Sequence, residues 1–181
     1  MNVPKQYNGL LFLMKMMLVR NGNKKAKILK KSKLFHSFGE NCSWSTHKIP
    51  SEPYLISVGN DVIVCAGVRF ITHDMNHRIF NKGGYEVCKN HIHYGKIVIN
   101  DNVMIGADSI ILYNTTIGSN VIIAAGSVVT KDVPNGVIVG GNPAKIIGKV
   151  EDLAQKRYLE DMSYGKNNLK EEFIEYFWGS K

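Results

Sequence analysis

The side chains best suited to chemistry in this chain are its six histidines and three cysteines. Cys42, Cys65 and Cys88 are odd in number and widely spaced, which is typical neither of a disulfide framework nor of paired zinc knuckles. Cys88, His91 and His93 could converge, but no fourth ligand follows at a recognisable metal-site spacing. We therefore expect a solvated loop around these three residues and no metal site.

His73 lies in the segment Ile71-Thr72-His73-Asp74, where a regular apolar pattern gives way to a polar stretch. Imidazoles ordinarily titrate near neutral pH, so a histidine here could take the proton of a hydroxyl that attacks a carbonyl. A structural histidine in a loop is the alternative. Asp74 could orient the imidazole or cap the loop locally, because neighbours in an extended chain point to opposite faces.

A six-residue repeat follows this segment and predicts the fold. Steps of six give the aliphatic residues Ile99, Ile105, Ile111, Ile117, Ile123 and Val129, each followed four places later by Val103, Ser109, Thr115, Val121, Ser127 and Val133. A period of six fits neither a helix nor a long alternating strand, so the chain must turn a corner every six residues. We expect a narrow prism with the aliphatic residues inside, and Gly106, Gly118 or Asn120 supplying the backbone freedom that the corners need.

An earlier block, Val58, Val64 and Phe70, has the same spacing, but 29 positions separate Phe70 from Ile99 and the register breaks there. Residues 74–95 are therefore expected to loop out of the prism. Residues 10–33 read as two short helices split at Asn21-Gly22-Asn23, and residues 151–162 and 168–178 read as two more. The predicted organisation is a basic, partly apolar helical leader at 1–35, a prism at 36–150 and a helical extension at 151–181.

The composition fits one globular domain: 181 residues, 44% hydrophobic and 21% charged, with a net charge of +8. Residues 1–48 carry ten lysines and arginines against the single acid Glu40. This excess predicts either a solvated helix face or peripheral contact with an anionic membrane surface, and the segment lacks the interleaved aromatics of nucleic-acid binders. The apolar run at 10–19 contains Lys15 and is too short to span a bilayer, which favours a cytoplasmic protein, with the inner membrane face as the anionic surface.

The stretch IIAAGSVVTKDVPNGVIVGGNPAKIIGKV, with GVRFITHD upstream, resembles the left-handed parallel β-helix (hexapeptide-repeat) acyltransferases. Within them it is most similar to the O-acetyltransferases of bacterial capsular and surface polysaccharide synthesis, relatives of the galactoside, maltose and streptogramin acetyltransferases. The resemblance covers residues 36–150. It implies a mainly β, left-handed parallel β-helix with terminal helices, and a homotrimer with sites between neighbouring prisms. It also implies acetyl-CoA as co-substrate and direct transfer to a saccharide hydroxyl.

The same resemblance places the catalytic histidine on His73. It places contacts to coenzyme A on backbone and small residues of the last coils: Ala107, Ala125, Thr130, Lys131, Gly141, Asn142, Pro143 and Lys145. Tight corners would require several of these small residues in any case. His77 and Arg78 in the insertion are candidates for contact with the acceptor sugar. Met104 stands where many relatives carry tryptophan and is assigned to the acetyl or acceptor pocket.

Two other functions remain open from the sequence. The gamma-class carbonic anhydrases use the same prism, with a histidine pair separated by four residues and a distant third histidine. Here His73 and His77 are separated by three residues, and no pair has the required spacing. The other candidate is a non-enzymatic trimer that serves as an assembly module, because a fold alone does not imply a function.

Overall fold

The computed structural model describes residues 10–85, 91–159 and 170–179. Short strands form the three faces of a prism. The first face contains β1 (Ser37–Phe38), β3 (Ile56–Val58), β8 (Ile97–Ile99) and β11 (Thr115–Ile117). The second contains β2 (Ser43–Trp44), β4 (Ile63–Val64), β9 (Val103–Ile105), β12 (Val121–Ile123), β14 (Val137–Gly140) and β15 (Lys145–Lys149). The third contains β5 (Arg69–Ile71), β10 (Ile110–Leu112) and β13 (Val128–Val129).

All strand pairs within the faces are parallel except β14–β15, so the described chain climbs as a parallel β-helix. Ile99 pairs with Ile117, which is one coil of 18 positions. Every residue of the two predicted six-residue sets is buried, and Val133, at 6%, is the most exposed of them. The predicted prism core is confirmed.

The corners of the prism rely on a six-residue series that the sequence analysis found only in part. Left-handed backbone recurs at Asn102, Asp108, Asn114, Asn120 and Gly126. Asn120 was predicted correctly, but Gly106 and Gly118 lie outside this series. Those glycines serve close approach instead: a Cβ on Gly106 would lie 2.5 Å from the Ala125 nitrogen, and one on Gly118 would lie 2.4 Å from Asn135 Oδ1.

The insertion leaves the prism where predicted. Val58 pairs with Ile99, which is 41 positions away, whereas a regular coil places paired residues 18 positions apart. Where the chain returns to the prism, the amide of Gly95 donates to the Thr72 carbonyl at 2.9 Å. The described part of the insertion contains an antiparallel ribbon of β6 (His73–Asp74) and β7 (His93–Tyr94), together with the short helix α3 (His77–Lys82). Cys88 lies outside the described residues.

The leader contains the two predicted helices, α1 (Leu10–Leu18) and α2 (Gly22–Ser32). Asn21 separates them, because its side chain accepts the amide of Lys24 at 2.9 Å and caps α2. Met16 and Leu29 belong to the buried hydrophobic cluster. Lys25 is also fully buried, with Nζ 3.3 Å from His47 Nδ1, and burial lowers its pKa.

Residues 1–150 and 151–181 form two separate compact units. The second contains α4 (Val150–Leu159), whose first residue is the last residue of the first unit, and α5 (Lys170–Trp178). Helices were predicted at both places. The domain boundaries at 35 and 150 stay predictions. Within the described ranges, no helix is long and apolar enough to cross a membrane.

Candidate active site

The imidazole of His73 is held by a carboxylate from the preceding coil. His73 Nδ1 lies 2.9 Å from Glu52 Oε2, and the hydroxyl of Thr72 donates to the same oxygen. The side chains of His73 and Glu52 are 31% and 14% exposed. A carboxylate only accepts hydrogen bonds, so Nδ1 carries a proton, and in the neutral imidazole Nε2 then keeps a lone pair. This is the arrangement that a histidine general base requires.

Glu52 was missed in the sequence analysis, and the geometry of the coil explains its position. It immediately precedes a 3₁₀ turn at Pro53–Leu55, whose Leu55 amide donates to the Glu52 carbonyl at 3.0 Å. The first coils repeat every 20 positions, as in the pairing of Ser37 with Ser57. Position 52 is therefore one coil below Thr72, and this spacing was the signal that could have found it.

Asp74 has partners other than the imidazole. Its carboxylate accepts the Tyr113 hydroxyl at 2.5 Å and the Asn76 amide at 3.0 Å. The hydrogen bond from Tyr113 is the main cause that lowers the pKa of Asp74, and the same bond raises the pKa of Tyr113. Of the two roles considered for Asp74, these contacts fit the local one. The prediction that Asp74 orients His73 is corrected, because Glu52 occupies that position.

The ribbon separates these two groups because neighbouring residues of a strand face opposite sides. His73 pairs with Tyr94 and Asp74 pairs with His93. The Tyr94 ring centroid is 5.6 Å from that of His73, and Tyr94 is 48% exposed. An exposed aromatic ring therefore stands beside the candidate base, which the sequence did not indicate.

The predicted coenzyme A contacts fall into three groups. Ala107 and Ala125 stack at the corner between the second and third faces, which we call the alanine corner, where the Gly126 amide donates to the Ala107 carbonyl at 2.8 Å. Thr130 and Lys131 come directly after β13, just as Thr72 and His73 come directly after β5. Both pairs therefore lie at the same corner of the prism, which we call the His73 corner. The third group, Gly141, Asn142, Pro143 and Lys145, lies at the β14–β15 connection.

That connection closes over the third face of the last coil. The Val128 amide donates to the Gly141 carbonyl at 2.9 Å, and the Ala144 amide donates to the Val128 carbonyl at 2.8 Å. All of the predicted contact residues except the half-buried Ala107 are exposed. They are thus available to a ligand that lies along the outside of the prism.

A single chain does not bring all of these residues together. His73 and the pair Ala107 and Ala125 lie at opposite edges of the third face. Thr130 and Lys131 share the His73 corner but are two strand spacings away, about 10 Å along the prism. One chain therefore has His73 at one edge of the third face and the stacked alanines at the other.

The three predicted acceptor residues also lie apart. Met104 points outward from the second face and is 42% exposed, in register with Ile63 and Ile122. His77 and Arg78 begin α3 and line an open cavity on the insertion. Met104 is therefore on a different face of the chain from His73.

A metal site is not apparent in the part of the chain that the structure describes, where no group of three or more histidine, cysteine or acidic residues could hold an ion. His93 lies against Tyr113, with ring centroids 5.2 Å apart, and its Nε2 is 3.4 Å from Asn114 Nδ2. The solvated loop expected around Cys88, His91 and His93 stays a prediction, because Cys88 is not among the described residues.

Comparison with known proteins agrees with this architecture. Residues 96–131 match the family model described as bacterial transferase hexapeptide (six repeats). Protein CapG of Staphylococcus aureus is 45% identical over 116 residues, which are 64% of this chain and 64% of CapG. The matched part of the chain spans about half to two thirds of the length of its curated relatives.

Two solved structures have a similar fold. A maltose O-acetyltransferase from Clostridium difficile 630 has a TM-score of 0.50 at 26% identity, covering 79% of this chain and 90% of that one. A hexapeptide-repeat acetyltransferase from Vibrio cholerae, complexed with acetyl coenzyme A, has a TM-score of 0.54 at 23% identity, covering 76% and 82%. The second likeness shows the fold alone. With its six-residue repeat and its left-handed parallel β-helix, as predicted, the chain is similar in sequence and in fold to the hexapeptide-repeat acyltransferases.

Proposed function

We propose that the protein is an acetyl-CoA-dependent O-acetyltransferase that transfers an acetyl group directly to a saccharide hydroxyl, with His73 as general base. The observation that carries this proposal is the His73–Glu52 pair, which fixes one imidazole nitrogen and leaves Nε2 able to accept a proton. The match of residues 96–131 to the transferase hexapeptide model supports the reaction class, and the likeness to the maltose O-acetyltransferase supports the acceptor class.

The proposed step balances without a covalent enzyme intermediate. Nε2 of His73 takes the hydroxyl proton while the hydroxyl oxygen attacks the thioester carbonyl. The tetrahedral intermediate collapses, the C–S bond breaks, and the proton passes to the departing thiolate. Glu52 stabilises the imidazolium that exists between these two transfers, as the third member of a catalytic triad does.

Acetyl-CoA fits the exposed strip of predicted contact residues. Alanine, threonine and glycine at Ala125, Thr130 and Gly141 allow a pantetheine arm to approach the backbone closely. Lys131 and Lys145 are exposed cations that can meet the phosphates of the cofactor. The acetyl coenzyme A bound to the Vibrio acetyltransferase shows that a prism of this kind accepts that ligand.

A homotrimer would complete the site. The outward row of the second face starts at Ser43 and continues with four apolar side chains in register, Ile63, Met104, Ile122 and Ile138. The corresponding row of the first face has one apolar residue among hydroxyl side chains: Ser37, Ser57, Val98 and Thr116. Such an apolar face is typical of an interface. Because His73 and the alanine corner are on different edges of one chain, a neighbouring protomer could supply the missing side of each site.

The acceptor is proposed to be a bacterial capsular or surface saccharide, because CapG is among the relatives. The reaction would take place in the cytoplasm, where acetyl-CoA is made. His77 and Arg78 on the insertion and Met104 from the second face remain candidates for acceptor or acetyl contact.

The test is transfer of labelled acetyl from acetyl-CoA to a panel of acceptors: a capsular polysaccharide, a lipid-linked saccharide, a nucleotide sugar and an amino sugar. We expect a base-labile ester on a saccharide, together with binding of coenzyme A. An acid- and base-stable amide on the amino sugar would show N-acylation instead. Binding of stoichiometric zinc with carbon dioxide hydration, or the absence of both transfer and coenzyme A binding, would contradict the proposal.

A further inference from the structure

Helix α1 has apolar side chains on its outward side. Phe12 and Met16 are buried, whereas Met14, Met17 and Leu18 are 48%, 66% and 77% exposed. With 3.6 residues per turn, the exposed three share one side of α1, opposite the buried two. Surface helices ordinarily turn polar residues outward. The apolar stripe (Met14, Met17 and Leu18) is therefore a surface that the described fold leaves unused.

Helix α2 begins after only three residues, and it exposes lysines where α1 exposes apolar side chains. Lys24, Lys27 and Lys31 are exposed and spaced three and four apart, so they form a lysine stripe along one side of the helix. No aspartate or glutamate occurs between residues 10 and 39. Glu40, the first acid after them, pairs with Lys30. Among the described residues, no salt bridge involves a lysine of this stripe.

We propose that these two stripes dock the protein onto the surface of a membrane that contains anionic lipids. The apolar stripe enters the headgroup region, and the lysine stripe contacts lipid phosphates. Interfacial helices combine exposed apolar residues with lysines, and here α1 carries the apolar stripe while α2, which is separated from α1 by three residues, carries the lysine stripe. A nucleic acid would match the lysines but not the apolar stripe. A second copy of this chain would match the apolar stripe but would bring two uncompensated lysine rows together.

The experiment is co-sedimentation of the full chain with phosphatidylcholine vesicles that contain or lack about 30% phosphatidylglycerol. It is run at about 50 mM and about 500 mM NaCl, because the Debye length falls roughly threefold over that range. We expect binding to the anionic vesicles that weakens at high salt, and little binding to the neutral ones. Neither result depends on acetyl transfer.

Two variants and a matched control identify the surface. Replacing Lys24, Lys27 and Lys31 with glutamine should weaken binding to anionic vesicles tenfold or more, since each lysine near such a surface contributes about fivefold. The control replaces the exposed Lys149, Lys156 and Lys170 with glutamine, which removes the same charge and should leave binding unchanged. Met17→Ser with Leu18→Ser should also weaken binding, at both salt concentrations.

Circular dichroism establishes that each variant is folded. Equal losses in the lysine-stripe variant and the control would show nonspecific charge attraction and overturn the proposal. Equal binding to both kinds of vesicle would overturn it as well. If Met17→Ser with Leu18→Ser changes the sedimentation mass but not vesicle binding, the occupant of the apolar stripe is a second copy of the chain.

Discussion

At the scale of single residues, the candidate site depends on one imidazole and one carboxylate that are 21 positions apart in sequence. Family resemblance indicated His73 as the candidate catalytic residue, but counting in steps of six could not indicate Glu52. Glu52 stands outside the buried six-residue sets, and its distance from His73 reflects a coil of 20 residues instead of 18. The contact follows from the local length of a coil, which a strict six-residue count does not contain.

We predict that Glu52→Ala lowers kcat about 10- to 100-fold, which is part of the 10²–10⁴ that a general base contributes. The KM for acetyl-CoA should change little, because Glu52 acts through His73 and not on the cofactor. Glu52→Gln should lose less, since its amide oxygen can still accept a hydrogen bond from Nδ1–H of His73. Steady-state kinetics check this, with the exposed Glu151→Ala as control. Equal activity of Glu52→Ala and the control would remove Glu52 from the mechanism.

At the scale of elements, the six-residue period predicted the core well because each aliphatic residue reports directly on the inside of the prism. It predicted the corners less well. A glycine can be required because the backbone has a positive φ or because another part of the chain approaches too closely for a side chain. The sequence does not show which of these two reasons applies at Gly106 and Gly118. Asn102, Asp108 and Asn114 supply positive φ because their short polar side chains tolerate that region. The ribbon of the insertion had no periodic signal at all.

The bond from Tyr113 to Asp74 ties this ribbon to the prism, and it predicts a pH-dependent stability. The pKa of Asp74 is lowered in the folded state, so the stabilisation is present above the ordinary aspartate value and is lost as pH falls through the folded value. We expect Tyr113→Phe to lower the urea midpoint at pH 7 and to differ less from wild type at pH 3.

The same pair should also titrate at the alkaline end. The pKa of Tyr113 is raised, so its contribution is present below the ordinary tyrosine value and is lost as pH rises through the folded value. Urea melts of the two proteins at acid, neutral and alkaline pH measure the difference. A difference that stays constant across the three would show that the Tyr113–Asp74 bond does not couple to folding.

At the scale of the whole molecule, the proposed active site needs more than one chain. The predicted coenzyme A residues were carried over one by one from the family, but their grouping into two corners and an end connection became visible only in three dimensions. One chain holds His73 at one edge of the third face and Ala107 and Ala125 at the other. The outward aliphatic row on the second face is the surface that a neighbouring prism would cover.

The most direct measurement compares acetyl transfer from labelled acetyl-CoA to a saccharide acceptor by the wild-type protein and His73→Ala, at equal protomer concentration. Sedimentation equilibrium and coenzyme A binding are recorded on both samples. We expect two trimers of the same mass with similar coenzyme A affinity, and a loss of about 10²- to 10⁴-fold in the transfer rate of His73→Ala. Transfer by His73→Ala within about threefold of wild type, or full activity in a monomer, would contradict this expectation.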